Sequence, residues 1–316
     1  MYRLLDTFIF RLQRSHLSSL IPRAQKDWIK NLVTQRKYNY EDVPSQIVVE
    51  LSSICNNAVQ KGLCVYCPNN SARDYGARGK TFMDDKLFDK IVLECKEFAN
   101  GQFSGIFSFN HYNEPLAPRK GNKFYIVEKV RQVKSHLPLA KVDIFTNGFY
   151  LDGPMFKLLI DAGVDRIILT YHHTITENGV TIENYPVAKE NLMKFKQDNP
   201  KYNKAYTNTV TETSLSVFSN RAGDVDTNLD KYKLVERKEE PCQAYRSMVI
   251  DYAGKVAYCS NDFSSSDPLG DVTVKHLKDV WNDANYKMFR TARQTMDLDN
   301  MGGICKACSV YKQACH

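Results

Sequence analysis

Three cysteines, Cys55, Cys64 and Cys67, sit in one short stretch after an apolar segment, and Tyr66 directly precedes the last of them. Three thiolates can hold three corners of a [4Fe–4S] cluster and leave the fourth iron open to a small molecule. A cluster closed by four cysteines instead carries electrons or braces the fold. Zinc also takes Cys-x-x-Cys pairs, but a structural zinc site needs four ligands. No fourth ligand stands near this group, and the next histidine downstream, His111, follows a different strand. A second group, Cys242, Cys259, Cys305, Cys308 and Cys315, lies toward the C-terminus. On spacing alone it would serve a zinc ribbon as well as an iron–sulfur cluster. Cys95 falls in an apparent helix and reads as a core residue.

The elements that must position these groups are set by periodicity. Residues 46–51 (QIVVEL) read as a buried strand, followed by strands at 103–110, 141–146, 165–171 and 209–218. Helical patterns lie between them at 84–99, 123–136, 154–162 and 187–198. Such alternation predicts a parallel sheet and, with this number of units, a partial (β/α)6 barrel. Functional groups on such barrels gather at the C-terminal ends of the strands. The first cysteine group follows the first strand there. Asn113-Glu114-Pro115 follows the second, Thr146-Asn147-Gly148 the third and Tyr171-His172-His173 the fourth.

The 316 residues are 43% hydrophobic, enough for one large domain and a smaller one. The expected boundaries are 1–44 for a basic helical extension, 45–235 for the barrel and 236–316 for a cysteine-rich unit. A polar stretch at 219–241 reads as a linker. No apolar run is long enough to span a membrane. Asp6, Arg11 and Arg14 interrupt the N-terminus too early for a secretory signal. The expected compartment is therefore the reducing cytoplasm, where nine cysteines point to metal or catalysis rather than disulfides. Of the net charge of +7, six lie in residues 1–40, which carry eight Lys and Arg against Asp6 and Asp27. That is not the broad basic stripe of a nucleic-acid binder. The basic helices read either as packing on the main domain or as a peripheral contact with an anionic membrane.

The segment ELSSICNNAVQKGLCVYCPNN resembles the signature of the radical S-adenosylmethionine (SAM) superfamily, Cys-x3-Cys-x-aromatic-Cys after the first barrel strand. Here the first gap holds eight residues rather than three. Asn113-Glu114-Pro115-Leu116 resembles the family's Gly-Glu-Pro turn, and FTNGFYL resembles its third-strand Thr-Asn-Gly. The resemblance implies that Cys55, Cys64 and Cys67 hold a SAM-binding [4Fe–4S] cluster. It implies SAM contacts from Tyr66, Asn113, Glu114, Asn147 and Thr170, with Glu114 pairing the SAM ammonium. The order of Cys242, Gly254-x4-Cys259 and Cys305-x2-Cys308 resembles the SPASM/twitch extension. That resemblance implies one auxiliary [4Fe–4S] cluster on Cys242, Cys259, Cys305 and Cys308. Cys315 is left over, as a spare ligand, an inert thiol or a hydrogen-atom donor.

The function expected from this resemblance is that of a radical SAM enzyme, which takes hydrogen from a C–H bond. The reaction would be oxidation or epimerisation of a small or carbohydrate-like substrate, with an electron donor such as flavodoxin or ferredoxin. A SPASM-type peptide maturase is one alternative; a zinc-stabilised binding protein without redox chemistry is another.

Overall fold

The computed structural model describes residues 42–56, 67–69, 81–98, 101–121, 123–170, 173–176, 179–182, 186–200, 207–211, 217–218, 233–234, 242–297 and 299–308. The basic helical extension and Cys64, Tyr66, His172 and Cys315 lie outside the described residues.

Strand β1 (Gln46–Val49) has both faces covered: Ile47, Val48 and Val49 are all buried, as a central parallel strand requires. Helix α1 (Asp85–Phe98) follows it. Its start is set by Asp84, whose carboxylate accepts the N–H groups of Lys86 and Leu87. Phe88, Ile91, Val92, Cys95 and Phe98 recur at helical spacing and bury one face of it. Cys95 is a core residue, as its position predicts. Strand β2 (Ile106–Ser108) and helix α2 (Tyr125–His136) form the next unit, with the short hairpin of β3 (Arg119–Lys120) and β4 (Lys123–Phe124) between them.

Strand β5 (Lys141–Thr146) leads to helix α3 (Gly153–Ala162), whose N-cap Asp152 accepts the Met155 N–H at 2.7 Å. Helix α3 ends at Gly163, which adopts the left-handed conformation (φ 107°). Strand β6 (Arg166–Thr170) comes next, then the hairpin of β7 (His173–Thr176) and β8 (Gly179–Ile182), and helix α4 (Pro186–Asp198).

The stretch predicted as one strand at 209–218 divides into β9 (Thr207–Thr211) and β10 (Val217–Phe218). β10 pairs in parallel with β11 (Lys233–Leu234), which lies inside the stretch read as a linker.

The cysteine-rich unit is built directly onto the barrel sheet. Strand β12 (Ser247–Ile250) runs parallel to β1, with Gln46 opposite Ser247 and Val49 opposite Ile250. Strands β13 (Lys255–Ala257) and β14 (Gly270–Asp271) then add antiparallel partners. The sheet order is β14-β13-β12-β1-β2-β5-β6-β9, so six parallel strands form an open partial barrel that continues into a hairpin. Helices α5 (Leu277–Asn282), α6 (Ala284–Thr295) and α7 (Gly303–Ala307) complete the unit, with Trp281 fully buried among them.

The β12–β13 turn is tied by Asp251, whose Oδ1 accepts the N–H groups of Ala253 and Lys255. Gly254 closes it at φ 85°, where an added Cβ would lie 2.7 Å from Thr273 Cγ2. Gly254→Ala should therefore cost roughly 1–3 kcal/mol through strain and overlap. The denaturation midpoint of the purified variant measures it, and an unchanged midpoint would contradict this account of the turn.

Candidate functional site

The C-terminal ends of β1, β2 and β5 converge through a set of buried hydrogen bonds. At their centre is Glu114, only 2% exposed. Its backbone N–H donates to Ile54 O at 2.9 Å, directly beside Cys55. Oε1 accepts Thr146 Oγ1 at 2.6 Å and the Leu116 N–H at 3.1 Å, and Oε2 accepts the Asn147 N–H at 2.7 Å. Asn147 Nδ2 in turn donates to Asn56 Oδ1 at 2.9 Å, on the other side of Cys55. Beyond Cys67, Asn69 Nδ2 donates to Tyr112 O at 2.9 Å. Both flanks of the first cysteine group are thus fastened to the loops that follow β2 and β5. Ser52 and Phe82 form an isolated antiparallel bridge that holds the start of the cysteine loop against the segment entering α1.

Next to Glu114, several buried polar atoms have no hydrogen-bond partner among the described residues. Asn113 Oδ1 accepts the His111 N–H at 3.1 Å, but its Nδ2 is unsatisfied, as is Asn110 Oδ1. The His111 side chain is fully buried, with Nδ1 3.6 Å from Glu50 Oε2. Glu50 Oε1 accepts the Tyr112 N–H at 2.9 Å. An unsatisfied buried amide costs on the order of 1–3 kcal/mol, so these atoms suit a polar ligand at this rim. The donor set also fits SAM, whose amino and carboxylate groups need acceptors and donors of this kind.

The structure brings Cys55, Glu114, Asn113 and Asn147 to one rim. Cys55 and Cys67 are half-buried. Thr170 ends β6 opposite Thr211 of β9 and makes none of the hydrogen bonds that join Glu114 to Thr146 and Asn147. Asn56 and Asn69 were not singled out by sequence reasoning, and Thr146 was named only as part of a rim motif. The Thr-Asn-Gly motif contained Thr146, but nothing in the sequence revealed that its hydroxyl would bind Glu114.

The second cysteine group is assembled by three separate elements. Cys242 caps the 3-10 turn Gln243–Arg246, Cys259 follows β13, Cys305 sits in α7 and Cys308 caps it. Cys259, Cys305 and Cys308 are buried, and Cys242 is half-buried. The Asn261 N–H donates to Cys259 Sγ at 3.3 Å. Burial pushes the Cys305 thiol up, while the neighbouring Arg293 opposes that shift. A coordinating metal would remove the proton outright. Among the described residues, no three Cys, His, Asp or Glu side chains gather closely enough to hold a single metal ion.

Residues 242–309 match the SPASM family, an iron–sulfur cluster-binding domain. Over 268 residues the chain is 25% identical to the S-adenosyl-L-methionine-dependent 2-deoxy-scyllo-inosamine dehydrogenase of Niallia circulans, covering 84% of this chain and 92% of that protein. The C-terminal unit is thus similar to a SPASM domain, and most of the chain to a SAM-dependent dehydrogenase. Its fold is similar to that of BtrN crystallised with AdoMet and 2-DOIA, with a TM-score of 0.64 at 21% identity, covering 84% of this chain and 93% of that one. Selenomethionine BtrN in an open conformation superposes with a TM-score of 0.53 at 19% identity, covering 87% and 93%.

Burial is the largest influence on Glu114. It pushes the carboxyl up from about 4.5 to about 7, although the three hydrogen bonds it accepts pull the other way. The fold therefore favours the protonated form. That contribution is fully present below about pH 4.5 and is lost as the pH rises through about 7. Without SAM, the protein should lose on the order of 3 kcal/mol of stability from this group between those limits. Glu114→Gln should flatten that part of the pH profile, measured by denaturation at fixed ionic strength. An identical profile in the variant would rule out Glu114 as its source.

Proposed function

We propose that the protein oxidises a hydroxyl-bearing, carbohydrate-like small molecule of the aminocyclitol type. The observation that carries this reading is the pairing of two sites on one continuous sheet: Cys55 on the rim beside Glu114, and a four-cysteine set in the SPASM-like unit. Similarity along most of its length to a SAM-dependent dehydrogenase acting on 2-deoxy-scyllo-inosamine supports the substrate class.

In this reading Cys55, Cys64 and Cys67 hold the SAM-binding [4Fe–4S] cluster, and Cys242, Cys259, Cys305 and Cys308 hold the auxiliary one. When bound, SAM and the two clusters would supply one-electron chemistry: a hydrogen atom would leave a substrate C–H bond, and the remaining proton and electron of the alcohol would go to solvent and to the auxiliary cluster, leaving a carbonyl.

The chain's own residues position and enclose. Glu114 faces the SAM amino group, with Thr146 and the Asn147 N–H fixing its carboxylate. Asn113 Nδ2 offers a donor to the SAM carboxylate. Tyr66 and Thr170 contact the nucleoside side. The hydrogen-bonded flanks of the cysteine loop would fix the cluster ligands at this rim, and a closed site would exclude water from the reaction. A flavodoxin or ferredoxin in the cytoplasm is the electron donor for the first cluster. Residues 1–40, with their excess of positive charge, are the candidate for peripheral membrane contact. Among the described residues, no helix is long and apolar enough to cross a membrane.

Anaerobic reconstitution should give about eight irons per chain. SAM cleavage should vanish in Cys67→Ala and survive in Cys305→Ala, and mass spectrometry of an aminocyclitol substrate should show a product two hydrogen atoms lighter. A mass-neutral product with solvent deuterium uptake would instead establish an epimerase, with Cys315 as the candidate hydrogen donor. Modification of a peptide and not of a polyol would establish a maturase.

A further inference from the structure

Helix α6 presents an unusual face to the core. Tyr286, Phe289, Arg290, Ala292 and Arg293 are its buried residues, so two arginines occupy positions where helical periodicity calls for apolar side chains. Arg290 has evident partners: Nη1 donates to Trp281 O at 2.6 Å, and the guanidinium lies over the Trp281 ring at 3.8 Å. Arg293 is different. It is only 1% exposed. Nη1 donates to Tyr258 O at 3.1 Å, Nη2 donates to Cys305 Sγ at 3.2 Å, and Nε is buried without a partner among the described residues.

A buried guanidinium needs a compensating negative charge, because desolvation of an unpaired cation is expensive. No carboxylate among the described residues forms an ion pair with Arg293. Its Nη2 instead lies against Cys305 Sγ, so the cysteine set is the counter-charge within its reach. Four thiols would leave the arginine uncompensated; a cluster ligated by four thiolates carries the net negative charge it requires.

Resting on the auxiliary-cluster assignment, we propose that Arg293 sets the reduction potential of that cluster, through a fixed positive charge and a hydrogen bond on Cys305 Sγ. Reduction adds one electron, and so one negative charge, to the cluster. A cation held against a ligating sulfur in a low-dielectric interior stabilises that added charge. Arg293 thereby makes the cluster a better acceptor for the electron leaving the substrate. It acts through the cluster as a positioning residue and does not touch the substrate. The Phe289 ring, 4.3 Å from the guanidinium carbon, and the Tyr258 carbonyl hold the fork in place.

The test uses the full chain with Cys55, Cys64 and Cys67 changed to Ala, so that only the auxiliary cluster forms. An iron count of about four per chain checks the underlying assignment; absence of iron would overturn that assignment and this inference with it. With iron present, redox titration followed by EPR should place the midpoint highest for Arg293, lower for Arg293→Lys and lowest for Arg293→Gln. Equal midpoints for Arg293 and Arg293→Gln would overturn the proposal while leaving the cluster assignment standing.

Where Arg293→Gln fails to load, pulsed EPR of the reduced protein labelled with guanidino-15N arginine decides. A nitrogen coupling from the guanidinium is expected, and its absence overturns the contact. In the enzyme with both clusters, Arg293→Lys should lower product formed per SAM cleaved.

Discussion

The rim depends on one buried carboxylate. Glu114 is a single residue, yet its backbone and side chain bind the ends of three strands: Ile54 after β1, Leu116 after β2, and Thr146 with Asn147 after β5. A carboxylate removed from water must accept hydrogen bonds wherever they can be supplied. Here the suppliers are the elements that flank the first cysteine group. Placement of Cys55 and satisfaction of Glu114 are thus one constraint. Burial still raises the carboxyl pKa against the pull of three donors, so a further cation or donor would complete the balance.

The second constraint is continuity of the sheet. Because β12 pairs with β1 in parallel register, the hairpin that carries Cys259 grows from the strand that precedes Cys55. Register between parallel strands is fixed along their length by the buried side chains of both faces. Ile47, Val48 and Val49 of β1, and Met248, Val249 and Ile250 of β12, are all buried. The SPASM unit therefore shares the barrel's backbone ladder.

Much of this was legible in the sequence. The helix over 123–136 and the strand over 141–146 match α2 and β5, because hydrophobic periodicity specifies them locally. The Asn-Glu-Pro turn, the Thr-Asn-Gly motif and the C-terminal cysteines were also visible, since short spacing reports which residues share a loop. The strand predicted over 209–218 was not resolved correctly, because a run of Thr, Val and Ser residues has high strand propensity throughout and carries no mark of where pairing stops. The stretch read as a linker contributes β11, whose two-residue pairing leaves no local pattern.

By itself, the sequence determined the order of strands and helices, the two cysteine groups and the acid at the rim. These are encoded in spacing and hydrophobic period, which are local properties. Only the tertiary structure decided what each polar residue faces. It placed Thr146 on Glu114, Asn69 on Tyr112 and Arg293 on Cys305, pairs that are 32, 43 and 12 residues apart. An arginine on the buried stripe of α6 looks in sequence like a break in the pattern. In the fold it is a charge held against sulfur, with Nη1 on the Tyr258 carbonyl, Nη2 on Cys305 Sγ and no carboxylate paired to it among the described residues.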